Sequence, residues 1–248
     1  MDFKDYFSGV ASDYRSYRPG YPDALFDFLA NATPGRELAW DCATGSGQAA
    51  VILGDRFDRV VATDGSQAQL DSAEQRSNID YRQELAENSS LEDGSVDLAT
   101  VGQALHWFDL DGFENEVRRV LKPGGLLAVW SYAVLASEPD IDAAIHRLYE
   151  DILGEFWTHE RRMVEEGYAS IDFDFEELDV PEFAMQATWD LPKLAGYLST
   201  WSAGKRYEET HGVNPVTLVA EQLESAWGKP DREVMIRWPL TVRVWRTP

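Results

Sequence analysis

One segment near the amino terminus constrains the fold more than any other part of the chain. Residues 40–47 read Trp-Asp-Cys-Ala-Thr-Gly-Ser-Gly, and a strand-like run at 59–63 follows after a short gap and leads into Asp64. A strand, a glycine turn, a helix start and a second strand with an acidic end form the nucleoside crevice of an open α/β sheet. The glycines let the backbone approach such a ligand closely, and the carboxylate accepts hydrogen bonds from ribose hydroxyls. This order of elements therefore predicts a nucleoside site at the glycine turn.

The composition indicates a globular chain with a strongly negative charge. The 248 residues are 44% hydrophobic and include 44 acidic but only 22 basic side chains, for a formal net charge of -22. This is enough apolar material for a core. A field of that sign repels phosphate backbones, so we expect no nucleic-acid partner.

The distribution of apolar residues and the cysteine content indicate in which cellular compartment the protein is expected. No apolar run approaches the roughly 20 residues that cross a bilayer, and the charged amino terminus lacks an apolar targeting core. The single cysteine is compatible with a reducing compartment. We therefore expect a cytoplasmic monomer or homodimer without a membrane partner.

Apolar runs alternate with glycine and proline turns over the first half of the chain, which is typical of a doubly wound sheet. Strands are predicted at 38–42, 59–63, 79–83, 96–101, 126–130, 183–189 and 233–245. Helices are predicted at 22–30, 113–121, 141–153, 160–166, 191–201 and 215–227, after 47, and from 66 to about 76, with a turn at 122–125 and a loop at 172–179. We predict a Rossmann-like α/β fold whose mostly parallel seven-stranded sheet has an antiparallel C-terminal strand and a helical insertion.

We expect one domain over residues 1–248, in four parts. These are two N-terminal lid helices in 1–36, a cofactor-binding core in 37–135, a helical insertion shaping the acceptor pocket in 136–180, and C-terminal strands and helices completing the sheet in 181–248.

The glycine turn alone is compatible with more than one ligand. Residues 45–50 match the dinucleotide fingerprint if its third glycine can be alanine, and Asp64 lies near the expected distance. An NAD(P)-dependent oxidoreductase therefore stays open, as does a turn with no ligand. Asp41 favours the sulfonium nucleoside S-adenosylmethionine, because a carboxylate there can face the ammonium group of a methionine moiety but would repel a pyrophosphate.

Four ordered motifs together resemble those of class I S-adenosylmethionine-dependent methyltransferases. They are Asp41-x-x-x-Gly45-x-Gly47 and the runs at 61–66, 86–97 and 118–125. The runs at 14–22 and 104–109 and the segment 197–202 resemble the small-molecule branch that includes trans-aconitate methyltransferases. The resemblance implies in-line methyl transfer to a small molecule, with O-methylation favoured and a carboxylate such as trans-aconitate as one acceptor class. A non-catalytic module that binds S-adenosylmethionine is a further alternative.

The same resemblance implies a set of cofactor contacts. Ala43, Gly45 and Gly47 pack against the cofactor, and Asp64 takes both ribose hydroxyls unless it only caps the following helix. The other expected contacts are Tyr14, Arg18, Asp41, Gly65, Ser66, Gln69, Ala86, Glu87, Gln103, His106 and Trp107.

Two of these positions, Ala43 and Gln103, have qualifications of their own, as does the neighbouring position Leu85. Ala43 replaces a usual glycine, which is tolerated if φ is negative there. Leu85 stands where an aspartate often contacts adenine, so Glu87 or a backbone carbonyl is the expected substitute. Gln103 is equally compatible with a loop-capping amide.

His106 is the candidate catalytic residue. It can serve as a base for a phenol or an amine, whereas a carboxylate acceptor is already ionised and needs none. A structural role in the loop after the fourth strand is the alternative. Tyr17, Arg161 and Trp201 are the expected substrate contacts, because arginine is suited to bidentate carboxylate binding. We expect no metal site, since no cluster of ligand residues has suitable spacing.

Overall fold

A parallel sheet forms the centre of the part of the chain that the computed structural model describes, residues 19–248. The strands β1 (Leu38–Cys42), β2 (Arg59–Asp64) and β4 (Val96–Gly102) are buried along most of their length. Such burial is expected of strands covered by helices on both faces. The predicted site residues Tyr14, Tyr17 and Arg18 precede the described range, as does the first of the two predicted lid helices. The second, predicted at 22–30, is present as the helix Asp23–Ala32.

The sheet is completed by β3, β5, β6, β7 and β8, which comprise Ile79–Gln83, Leu121–Ser131, Glu176–Glu177, Phe183–Trp189 and Val234–Arg246. Its order is β3-β2-β1-β4-β5-β8-β6, with β7 also paired to β8. The first five strands are parallel, and β8 runs antiparallel to β5. The strand order reverses between β1 and β4, and ligands bind at the carboxyl ends of strands where this happens. The predicted fold class is therefore confirmed.

Helices cover both faces of this sheet. Those of the described range are α1 (Asp23–Ala32), α2 (Gln48–Gly54), α3 (Gln67–Asp71), α4 (Leu110–Val120), α5 (Pro139–His146), α6 (Arg161–Glu165), α7 (Leu191–Ser199), α8 (Ser202–His211) and α9 (Ala220–Trp227), with short 3-10 turns at Leu105–Trp107, Gly154–Phe156 and Pro215–Val219 and a π-helical turn at Arg147–Ile152. Large apolar side chains fill the two faces, with Trp130 and Trp238 on one and Trp40 and Phe113 on the other. None of the helices within residues 19–248 has both the length and the apolar character needed to cross a bilayer.

The structure departs from the predicted elements in the polar segments. Residues 172–179 are not all loop, because Glu176 and Glu177 pair with the end of β8 and add a short eighth strand. The helix predicted to run from 66 to about 76 ends at Asp71. The helix predicted at 191–201 ends at Ser199, and α8, which is mostly polar, follows it unpredicted.

The turn predicted at 122–125 lies inside β5. Pairing with β4 shifts from Val96 opposite Leu121 to Leu98 opposite Leu126, so the intervening residues bulge out of the ladder. Gly124 has φ +74°, a value that glycine adopts without strain. The turn residues are therefore present as expected, but they interrupt a strand instead of preceding it.

Asp97 ties the amino-terminal ends of three strands together. Its carboxylate is buried and accepts hydrogen bonds from the backbone N–H groups of Glu37 and Leu38 at 2.9 and 3.0 Å. The Nζ of Lys122 donates to its other oxygen at 2.9 Å. A side chain at Gly35 would place its Cβ 2.6 Å from the same oxygen, so glycine is required there. Asp97 and Lys122, which belong to two of the sequence motifs, thus stabilise the edge opposite the glycine turn.

Replacing Asp97 by alanine should lower the free energy of unfolding by about 2–4 kcal/mol, because two backbone donors and an ammonium group lose their acceptor. Urea unfolding measures this change. Asp93→Ala is the matched control: its side chain is 82% exposed and pairs with Arg119 at the surface, and such pairs contribute at most about 1 kcal/mol. Equal losses in the two variants would contradict the anchoring role.

Candidate cofactor and acceptor site

The glycine turn between β1 and α2 adopts positive φ at every second residue. The φ values are +53° at Ala43, +56° at Gly45 and +81° at Gly47. Two backbone hydrogen bonds shape the turn, from Gly47 to the Thr44 carbonyl and from Thr44 to the Thr63 carbonyl. The condition that Ala43 has negative φ is therefore wrong, and its methyl group occupies a conformation that costs an L-residue about 1–2 kcal/mol.

Gly45 and Gly47 are needed for different reasons. A Cβ at Gly47 would collide with the Tyr81 hydroxyl, so that glycine satisfies packing inside the protein. A Cβ at Gly45 would meet, among the described atoms, only the Gln69 side-chain oxygen at 3.9 Å. Gly45 thus presents its backbone to open space at the carboxyl edge of the sheet, as a turn that cradles a ligand requires.

Asp64, at the end of β2, holds this turn in place. One carboxylate oxygen accepts from the Gly45 N–H and the other from the Ser66 N–H, both at 2.8 Å. The second bond supports the capping interpretation, although a carboxylate oxygen can accept more than one hydrogen bond. Ribose binding by Asp64 stays a prediction, and Gly65 and Ser66 lie beside it as expected.

Asp41 lies beneath the turn, with 1% of its surface exposed. Its two oxygens accept from the hydroxyls of Thr44 at 2.5 Å and Thr100 at 2.8 Å, which link β1 to β4. Burial raises the pKa of this carboxyl to about 6. Asp41 therefore has a structural role in this arrangement, and its contact with a methionine ammonium group stays a prediction.

The next strand ends place further predicted residues at the same edge. Leu85 is 49% exposed, and it borders a groove of about 470 Å³ whose other lining residues are Gly65, Gln83, Glu84 and Asn88. Ala86 is buried, and the Glu87 carboxylate accepts from the Asp109 N–H at 2.9 Å, at the start of α4. Glu87 thus caps a helix in addition to any contact with adenine.

Gln103 begins the loop after β4 in a left-handed conformation, with φ +59°. Its side-chain amide donates to the Tyr132 carbonyl at 2.8 Å, and its backbone N–H donates to Trp130. The Gln103 side chain therefore makes the loop-capping contact that the alternative interpretation predicts. Backbone strain in a non-glycine residue at such an edge is typical of ligand sites.

His106 lies in the 3-10 turn that follows. Its Nδ1 is 3.0 Å from the hydroxyl oxygen of Tyr168, and its ring centroid is 4.7 Å from that of Trp107. Burial and the nearby charge of Arg161 lower the pKa of His106 to about 4, while Glu160 acts in the opposite direction. His106 is therefore neutral at physiological pH.

Aromatic rings surround Arg161 beside this histidine. The guanidinium carbon lies 5.0 Å from the Trp157 ring centroid and 5.7 Å from that of Tyr149, and Nε donates to the Tyr149 hydroxyl at 3.0 Å. The Tyr149 hydroxyl in turn donates to Glu165 at 2.5 Å. The Trp201 ring is 5.6 Å from that of Tyr149. The structure thus brings the predicted residues Arg161 and Trp201 to one cluster, although Trp201 is mostly buried behind the other rings.

Sequence reasoning missed Tyr149, Trp157 and Tyr168. They come from the segment between β5 and β7, where we recognised no motif. The aromatic residues of that segment were its only signal. Within residues 19–248 no group of three or more metal-ligating side chains is placed to hold an ion.

Comparisons with known proteins agree with this geometry. The family model for the methyltransferase domain matches residues 40–148. A Dictyostelium discoideum protein described as a methyltransferase is 33% identical over 233 residues, which cover 92% of this chain and 89% of that protein. A solved structure from Anaeromyxobacter dehalogenans, described as a type II methyltransferase, is 40% identical with a TM-score of 0.89 and covers 94% of this chain and 99% of its own. A Saccharomyces cerevisiae protein described as an S-adenosylmethionine-dependent methyltransferase is 26% identical over 168 residues, or 62% of this chain and 57% of the relative.

The chain belongs to the class I S-adenosylmethionine-dependent methyltransferases. S-adenosylmethionine is its cofactor, and the oxidoreductase interpretation of the glycine turn is set aside. The residues present fit this group: Gly45 leaves open space at the turn, and Asp64 supplies a carboxylate at the adjacent strand end.

Replacing Ala43 by glycine should stabilise the protein. The change relieves about 1–2 kcal/mol of left-handed strain and adds about 0.5–1 kcal/mol of backbone entropy cost, so we expect a gain of about 0.5–1 kcal/mol in urea unfolding. Ala49→Gly, inside helix α2, is the matched control and should lose about 1 kcal/mol. Destabilisation by both variants would contradict the strain at Ala43.

Replacing Gly45 by alanine should weaken cofactor binding at least about 10-fold, which corresponds to about 1.4 kcal/mol. The new Cβ enters the space that the cofactor needs, and calorimetric titration with S-adenosylhomocysteine measures the Kd. Gly94→Ala is the control, because Gly94 has a similar φ of +59° in a turn at the opposite edge of the sheet. It should suffer the same strain with no change in Kd. An unchanged Kd for Gly45→Ala would exclude the turn as the cofactor cradle.

Proposed function

We propose that this methyltransferase methylates an oxygen atom of a small molecule, with a carboxylate such as that of trans-aconitate as the acceptor. The cluster around Arg161 is the observation that supports this proposal. The resemblance of the runs at 14–22, 104–109 and 197–202 to the trans-aconitate branch points in the same direction.

Arg161 is unusual in a chain with twice as many acidic as basic side chains. Within the described part of the chain it forms no ion pair, whereas its neighbour Arg162 pairs with Glu166 at 2.9 Å. Its Nε is bonded to Tyr149, and no described residue bonds its two terminal nitrogens. A half-buried guanidinium with that fork available is suited to bidentate binding of a carboxylate.

The surrounding rings give the guanidinium a fixed orientation. Trp157 lies against it, Tyr149 anchors its Nε, and Trp201 packs behind Tyr149. Since the rate of an in-line displacement depends strongly on how the nucleophile is placed, a preorganised anion site is an effective device for this reaction.

The chemistry of a carboxylate acceptor suits a site without a base. Bound S-adenosylmethionine supplies an electrophilic methyl group, so that the new C–O bond forms as the C–S bond breaks and the electron pair stays on sulfur. A carboxylate is ionised at neutral pH and releases no proton in this transfer. The protein therefore has only to bind, orient and shield the acceptor.

The remaining features of the proposal follow from the sequence. We place the acceptor pocket under the insertion at 136–180 in a single domain, and the enzyme in the cytoplasm as a monomer or homodimer. Its net charge of -22 disfavours nucleic acid as substrate.

Replacing Arg161 by glutamine should lower kcat/KM for a carboxylate acceptor about 10- to 100-fold, because a charge-assisted pair of hydrogen bonds is lost. The Kd for S-adenosylhomocysteine should not change. Transfer of a labelled methyl group to di- and tricarboxylates, their amides, phenols and amines measures this, with mass spectrometry of the products.

Arg162→Gln is the matched control, since the Arg162 side chain is 74% exposed. It should retain the parent activity. Faster methylation of the phenols or amines than of the carboxylates, or equal losses in the two variants, would contradict the proposal. Cofactor binding without transfer to any acceptor would favour a binding module instead.

A further inference from the structure

We propose that Tyr168 fixes His106 in the tautomer with its proton on Nε2, so that His106 is a hydrogen-bond donor to the acceptor and not a base. The effect on acceptor selectivity rests on the proposed function. The tautomer itself depends only on the contact between Tyr168 and His106. Tyr168 is then a positioning residue, acting through His106.

Tyr168 is held firmly enough to serve this purpose. It is 1% exposed, and it adopts a left-handed φ of +58°, which is costly for a residue with an aromatic side chain. Its backbone N–H donates to the Met163 carbonyl at 2.8 Å, and its carbonyl accepts from Arg243 Nη1 at 2.7 Å. The hydroxyl position therefore follows from the backbone and not from a mobile side chain.

The direction of the hydrogen bond follows from the surroundings of the phenol. Burial raises the pKa of Tyr168 well above its ordinary value, so the hydroxyl keeps its proton. A buried O–H needs an acceptor, and among residues 19–248 the acceptor bonded to this hydroxyl is His106 Nδ1, at 3.0 Å. Because Nδ1 accepts, the neutral imidazole has its proton on Nε2.

The charge state agrees with this assignment. His106 lies near the cation of Arg161 and is largely buried, and both factors favour the neutral ring against the opposing effect of Glu160. A neutral imidazole with its proton on Nε2, and with Nδ1 engaged by a phenol, offers no lone pair for taking a proton from an acceptor.

The consequence is selectivity by ionisation state. Within residues 19–248, Nε2 has no hydrogen-bond partner, so its N–H is available to an anionic oxygen near Arg161. Arg161 and His106 together would then hold a group that is already ionised. A phenol or an amine needs a base that this pair does not supply.

The tautomer can be observed directly by long-range proton–nitrogen NMR of histidine-labelled protein at pH 7. There are four histidines, and His106→Asn assigns the relevant signals. We expect a protonated Nε2 and an unprotonated Nδ1 for His106, while His159, which is exposed and whose side chain has no hydrogen-bond partner within residues 19–248, serves as the internal control with averaged signals. A proton on Nδ1, or an imidazolium at pH 7, would overturn the proposal.

Tyr168→Phe tests the cause, because it removes one hydroxyl and keeps the ring. The His106 signals should shift toward a mixture of tautomers, and kcat/KM for the carboxylate acceptor should fall about 10-fold with the Kd for S-adenosylhomocysteine unchanged. Unchanged His106 signals would overturn the role of Tyr168. The NMR measurement needs no acceptor. It therefore tests the tautomer even if the proposed function is wrong, and the two failures can be told apart.

Discussion

The carboxylate of Asp64 is the link on which the site depends. It joins the end of β2 to the glycine turn after β1 through two hydrogen bonds of 2.8 Å, to Gly45 and Ser66. A turn with positive φ at three alternate positions is strained wherever a residue is not glycine, as at Ala43. Anchoring by Asp64 keeps that turn open at Gly45, and it directs the chain into α2. The shape of the predicted cofactor cradle thus depends on two neighbouring strand ends and not on the glycines alone.

The acceptor side has a different physical basis. In a chain with formal charge -22, an arginine has many possible carboxylate partners. Arg161 nevertheless lies against Trp157 and bonds Tyr149, whose hydroxyl donates to Glu165. Tyr149 thus stands between the guanidinium Nε and the nearby acid. Under the proposed function, this arrangement keeps a cation available for an anionic acceptor in an otherwise acidic protein. In the proposed tautomer His106 extends the same arrangement, because a neutral ring would add a donor without adding a charge that needs solvation.

The sequence predicted the strands well where apolar runs lie between turn residues. The bounds of β1, β3 and β7 were predicted correctly, since apolar runs between turn residues determine them. The left-handed φ of Ala43 was not predicted, because the backbone conformation there depends on neighbours in three dimensions. The two-residue β6 and the polar helix α8 have no apolar periodicity to reveal them. Of the described candidate residues, Asp41, Asp64 and Gln103 lie at or next to the ends of strands, and their contacts with the cofactor stay predictions. Tyr149, Trp157 and Tyr168 come from an insertion whose residues meet only through folding, so no linear spacing could identify them.

We propose that the glycine turn holds the cofactor while Arg161 and His106 hold an anionic acceptor beside it. A crystal structure of the protein with S-adenosylhomocysteine and a tricarboxylate tests this claim most directly. We expect ribose hydroxyls on the Asp64 carboxylate, the thioether near the turn at Gly45, and one carboxylate of the acceptor bonded to both the Arg161 guanidinium and the His106 Nε2. A cofactor bound away from Gly45, or an acceptor carboxylate that contacts neither Arg161 nor His106, would contradict it.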